Sequence, residues 1–182
     1  AETASGGELS RIALAIAAAL LLSLSIASAQ ASPEASTSAV RPHIRIWPIP
    51  FGSKRKQEMA AYSERHYGED TWRLKHPQVI VEHMAETSTA AAVYNTFAPD
   101  VPDVELHELP NVCAHFVVNS AGRIYRLVNL RTRCRHTVGL NWTAIGIEHT
   151  GYADSDALDN PREMHASLAL PLMAVGGRGV IS

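Results

Sequence analysis

Asn141-Trp142-Thr143-Ala144-Ile145-Gly146-Ile147-Glu148-His149 is the stretch on which the fold turns. Its β-branched residues at every second position predict a strand over Ala144 to His149. Alternation puts Ala144, Gly146 and Glu148 on one face and Ile145, Ile147 and His149 on the other. A carboxylate inside such a strand is unusual, because a buried charge without a partner is costly. The small residues leave room beside Glu148 for a ligand, as in the floor of a cleft. A structural salt bridge is the competing reading.

Working outward, Val79 to His83 is a second β-branched run and Cys113 to Val118 a third. Asn119-Ser120-Ala121-Gly122 reads as a turn, from which Arg123 to Val128 returns as a hairpin arm. Thr87 to Phe97 suits a helix that Ser88 or Thr89 caps and Pro99 closes. Asn160-Pro161 opens another, continued by Arg162 to Leu170, with proline at its first position. Lys54 to His66 suits a short surface helix. Strands and helices alternate around a hairpin, which predicts an α/β domain built on a mixed β-sheet flanked by helices.

The chain has 182 residues, 46% of them hydrophobic and 19% charged, as expected for about one globular domain. Sixteen Lys and Arg against 18 Asp and Glu give a net charge of -2, which argues against nucleic acid as partner. Ile12 to Ala29 is almost wholly apolar, follows Arg11 and ends in Ala27-Ser28-Ala29, a small-x-small cleavage pattern. Residues 1–29 are therefore expected to be a signal peptide, with a retained anchor as the alternative. The protein is then secreted, with no stable membrane association after cleavage. Gln30 to Val40 reads as linker. Arg41 to Pro50, with three prolines, reads as extended chain rather than central strand. The expected division is 30–66 as linker and N-terminal extension and 67–182 as the domain, a monomer.

Several residues could carry chemistry. His83 ends a strand, where a side chain can project into a site, and it reads equally as an ordinary histidine. Arg133-Cys134-Arg135-His136-Thr137 could bind a substrate carboxylate or form a solvated loop. Cys113 and Cys134 are the only cysteines, too few for a Cys-only zinc site. In an exported protein a disulfide between them is the economical reading, and a Cys-His metal pair the alternative. No phosphate-cradling glycine loop, Gly-x-Ser-x-Gly elbow or His-Glu-x-x-His helix is found.

Taken in order, Val79 to Thr87, Cys113 to Val128, Arg135 to Gly139 and Asn141 to Glu148 resemble four motifs of the type 2 zinc N-acetylmuramoyl-L-alanine amidases, the family that includes the peptidoglycan recognition proteins. These motifs are the first strand ending in His, the His-aromatic hairpin with Ile-Tyr-x-Leu-Val, the His-Ala-Gly loop and the Asn-x-x-x-Ile-Gly-Ile-Glu strand. The resemblance implies a mixed sheet with one Zn2+, hydrolysis of the amide between N-acetylmuramic acid and L-alanine, and peptidoglycan as partner. It implies His83 as a metal ligand, Glu148 as the catalytic carboxylate, and His136 and Asn141 as substrate-binding residues.

The resemblance stops at the C-terminus. There the family has a Gly-His and a loop with the third ligand, often Asp-Pro-Gly. Pro171 is expected to cut the last helix here, and Val175 to Ser182 contains neither motif. His165 lies too early to match the second ligand. The expectation is a C-terminally incomplete domain with the last elements missing. A non-catalytic peptidoglycan-binding module and an inactive truncated product stand as alternatives to the amidase.

Overall fold

The computed structural model describes residues 42–176, with side chains for 42–170. The expected signal peptide, the linker read over Gln30 to Val40 and the last six residues lie outside the described residues. The elements are β1 (Ile44–Ile46), α1 (Ser53–Tyr67), β2 (Val79–Met84), α2 (Ala90–Phe97), β3 (Phe116–Val118), β4 (Ile124–Arg126), β5 (Ala144–His149), α3 (Asp154–Leu158) and α4 (Pro161–Gly176). Among the described residues no helix is long and apolar enough to cross a membrane.

The strands form one sheet in the order β1-β4-β3-β5-β2. Strands β2, β5 and β3 run parallel, β4 returns antiparallel to β3, and β1 lies parallel to β4 at the edge. The expected mixed sheet is thus observed, as is the hairpin. Its turn is set by Asn119, whose side-chain oxygen accepts from the backbone N–H groups of Ala121 and Arg123. Thr89 caps α2 by accepting from Ala92 N at 3.1 Å, as its position predicts.

Both faces of the sheet are covered. On the front, Val117, Leu127 and Cys113 pack with Val93 and Phe97 of α2. On the back, Phe116, Val118, Ile145 and Ile147 pack with Leu170 of α4. The alternation read from the sequence therefore holds through β3 and β5. Each buried branched side chain contributes about 1.5–3 kcal/mol relative to exposure.

Two expectations differ from the structure. The N-terminal extension is not separate from the rest: β1 pairs with β4, and α1, the helix expected over Lys54 to His66, buries Met59 and Tyr62 completely or nearly so. The prolines around β1 are tolerated because it is an edge strand, with one side free of ladder bonds. Nor does Pro171 cut the last helix, since α4 continues to Gly176. A proline removes one N–H from the ladder, which weakens a helix without always ending it.

Candidate functional site

His83 and Glu148 are register partners on the parallel strands β2 and β5. Paired strands lie about 4.8 Å apart, so the two side chains leave the same face as neighbours. Val117 flanks Glu148 on its other side in β3. The pair lies near the carboxyl ends of parallel strands, the edge at which open α/β sheets place their ligands. Glu148 is buried and His83 partly so.

His136 completes the cluster from the loop before β5. Its Nδ1 lies 3.0 Å from His83 Nε2 and 3.0 Å from Thr137 Oγ1, and Thr137 Oγ1 lies 3.3 Å from His83 Nε2. Its Nε2 faces Ala144 O at 3.4 Å. A carbonyl can only accept, so Nε2 carries the proton and Nδ1 turns a lone pair toward His83. Burial, and then the neighbouring His115 and His83, hold the His136 pKa well below that of a free imidazole.

The ring has a defined seat. A Cβ built on Gly146 would lie 2.8 Å from His136 Cγ and Nδ1. The space beside Glu148 that the sequence suggests is open to a ligand is, at Gly146, filled by this ring. A glycine within a strand can mark such a close approach, and that was the signal for it.

Asn141 and Arg135 hold the loop. Asn141 Oδ1 accepts from the backbone N–H groups of His136 and Thr137, each at 2.8 Å, and Nδ2 donates to Tyr62 OH at 3.3 Å. Asn141 is buried, and these bonds make it a positioning residue rather than a free substrate contact. Arg135 donates to Glu108 O at 2.7 Å, Pro110 O at 2.6 Å and Asp103 Oδ2 at 2.6 Å, and stacks over Tyr62. Arg133 is likewise buried and pairs with Glu69. Neither arginine is the carboxylate-binding group that the sequence offers. The cysteines form the expected disulfide, Cys113–Cys134, with Cα atoms 5.2 Å apart.

The other histidines have other work. His115 is fully buried, with Nε2 donating to Thr132 O at 2.9 Å and Nδ1 accepting from Gly146 N–H at 3.1 Å. Burial lowers its pKa to about 4 against the opposing effect of the Thr132 carbonyl, so it stays neutral and bridges loop to strand. His149 faces away from the site, with Nε2 2.8 Å from Glu82 Oε2 and Nδ1 3.2 Å from Glu163 Oε1. His165 lies on α4, beside β1 and the hairpin.

Catalytic zinc takes three protein ligands and keeps one open position. Among the described residues no group of three or more His, Cys, Asp or Glu could hold a metal ion. His83 Nε2 and His136 Nδ1 converge, but His115 and His149 have both ring nitrogens engaged elsewhere. The described donor set therefore does not fit a three-ligand zinc site.

A mixed-sheet α/β domain with a His-Glu pair at the carboxyl edge of its parallel strands is the class these features define. Residues 73–175, more than half the chain, match the family model for N-acetylmuramoyl-L-alanine amidase. The chain belongs to that family. No curated protein matches it. Among solved structures, it is similar to the endolysin N-acetylmuramoyl-L-alanine amidase LysCS from Clostridium intestinale, at 20% identity over 75% of this chain and 76% of that one, with a TM-score of 0.48. It is also similar to Drosophila peptidoglycan recognition protein SA, at 19% identity over 74% and 73% of the two chains, with a TM-score of 0.45. For human PGRP-IBETAC in complex with glycosamyl muramyl pentapeptide, the identity is 19% over 58% and 67%, with a TM-score of 0.45.

Proposed function

We propose that this protein engages peptidoglycan at the junction between N-acetylmuramic acid and L-alanine, on the sheet face carrying His83, Glu148 and His136. The observation that carries this reading is the register pairing of His83 with Glu148. Family membership supplies the substrate class, and the pairing supplies a carboxylate acceptor beside an imidazole for the polar atoms of one amide. The protein acts outside the cytoplasm, as a monomer that binds neither nucleic acid nor membrane. The Cys113–Cys134 disulfide supports that location, since such bonds persist in oxidising compartments.

On this reading the chain binds the muramyl peptide without rapid cleavage, because its described residues fall short of a catalytic zinc site. The second reading is zinc-dependent hydrolysis of the same amide, with His83 as one ligand and Glu148 as the proton-handling carboxylate. The proximity of those two residues favours it.

Calorimetric titration with a soluble muramyl peptide tests the binding, alongside amidase release of peptide from purified peptidoglycan with and without added zinc. Saturable binding that weakens at least tenfold in His83→Ala, with no release, is expected. Absence of binding overturns the first reading. Chelator-sensitive release establishes the second.

A further inference from the structure

A cavity of about 390 Å³ lies away from the His83–Glu148 pair, where the start of edge strand β1, the β3–β4 turn and α4 meet. Among the described residues two arginines and two histidines line it, Arg45, Arg123, His43 and His165, and no carboxylate does. Its remaining lining includes the small residues Gly122, Ala166 and Ala169, which leave the hollow open.

The arrangement follows from the fold. Strands β1 and β4 are parallel with Ile44 beside Ile124, so His43 and Arg123, one step earlier, enter the sheet side by side. Ala166 and Ala169 are three residues apart on α4 and share a face. The wall on the turn side is fixed. Gly122 has φ +73°, and a Cβ there would lie 2.7 Å from Arg162 O, so the turn sits against the first turn of α4 with no room for a side chain.

The charge is unbalanced locally. Among the described residues Arg45 and Arg123 form no ion pair, which is equally true of Arg73, Arg126, Arg131 and Arg162, but these two share one hollow with two histidines. The chain as a whole carries a net charge of -2, so this cationic concentration runs against its overall balance. Two guanidinium forks and two imidazoles offer more N–H donors than a carboxylate has oxygens, and suit a tetrahedral oxyanion better. The volume lies within the range of small-ligand sites.

We infer that the cavity lined by Arg45, Arg123, His43 and His165 is an anion site for a phosphate group, either a free phosphate or a phosphodiester unit of an anionic polymer.

Calorimetric titration of the full chain with inorganic pyrophosphate, poly(glycerol phosphate) and glutamate tests this. Saturable pyrophosphate binding is expected, at least tenfold weaker in the Arg45→Gln/Arg123→Gln double variant and unchanged in Lys75→Gln, an exposed lysine outside the cavity. Both arginines are exposed, so the double variant should keep the wild-type circular dichroism and melting temperature. Poly(glycerol phosphate) competing with pyrophosphate assigns the polymer as source, and failure to compete assigns the free ion; either result supports a phosphate site. Glutamate binding as tightly as pyrophosphate, no saturable binding, or equal weakening in Lys75→Gln overturns it.

Discussion

The ring of His136 occupies the space that a side chain at Gly146 would need, with a virtual Cβ only 2.8 Å from its Cγ. Gly146→Ala must therefore displace the ring or bend β5. The expected result is a loss of about 1–3 kcal/mol, as for other overpacking substitutions, and muramyl-peptide binding weakened about tenfold. Urea denaturation and calorimetry read the two effects. Unchanged binding would show that the seat of His136 does not matter to the ligand.

Asn141→Ala should release the same ring from the loop side. It strips two buried backbone N–H groups, at His136 and Thr137, of their acceptor. Each unsatisfied donor costs about 1–3 kcal/mol. Asn141→Asp keeps the acceptor oxygen and should retain most of the binding, whereas Asn141→Leu, of similar size without an acceptor, should lose it, which a merely space-filling role would not predict.

Most of the fold was legible because β3 and β5 bury both faces in strict alternation, and the hairpin turn carries its own signal in Asn119 and Gly122. The disulfide followed from two cysteines flanking one hairpin. The N-terminal boundary was not legible, because the pairing of β1 with β4 joins residues about eighty apart, and prolines mask an edge strand. At the site, His83 and Glu148 stood out by position, but the roles of Asn141 and Arg135 did not. Their partners lie across the loop from Asp103 to Pro110 and on α1, and periodicity carries no information about such contacts.

Removing the disulfide by Cys113→Ser/Cys134→Ser should destabilise the protein by about 3 kcal/mol, since it frees a loop with a sequence separation of 21 residues. Chemical denaturation with and without reductant measures this. The unreduced, denatured wild type should give no titratable thiol, and the reduced protein two, one from each cysteine.

Acid stability should depend on Asp103. Burial pushes its carboxyl up, but the backbone N–H of Leu106, the Arg135 guanidinium and the N–H of Glu108 outweigh this and hold it at about 2. A group with a depressed folded pKa stabilises above its unfolded value, about 3.9, and the contribution is lost as pH falls through the folded value. Unfolding free energy should therefore drop between about pH 4 and pH 2. Asp103→Asn should flatten that limb, and at neutral pH should cost about 3 kcal/mol by leaving Arg135 short of a buried partner.

The opposite limb should depend on His149. Burial lowers its pKa, but Glu82 and Glu163 together raise it above the ordinary imidazole value, while burial raises Glu163. A raised histidine stabilises fully below about pH 6.5 and loses that contribution as pH rises through its folded value. A buried Glu163 that resists ionisation acts in the same direction. His149→Phe should cost about 3–5 kcal/mol and speed hydrogen exchange in α4, where Glu163 and Ser167 sit.

Strands β2 and β5 each carry the dipeptide Glu-His, as Glu82-His83 and Glu148-His149, and the observed register sets them one step out of phase. That offset gives each face of the sheet one acid and one base: Glu148 with His83 in front, Glu82 with His149 behind. Sliding β2 by a single residue would bring Glu82 against Glu148 and His83 against His149, like beside like on both faces, besides turning Ile80 toward the wrong side. His83 and Glu148 of the candidate site, together with Glu82 and His149 behind them, therefore proofread the alignment of the strands that carry the site. An insertion or deletion of one residue within either strand should prevent folding, not merely remove binding.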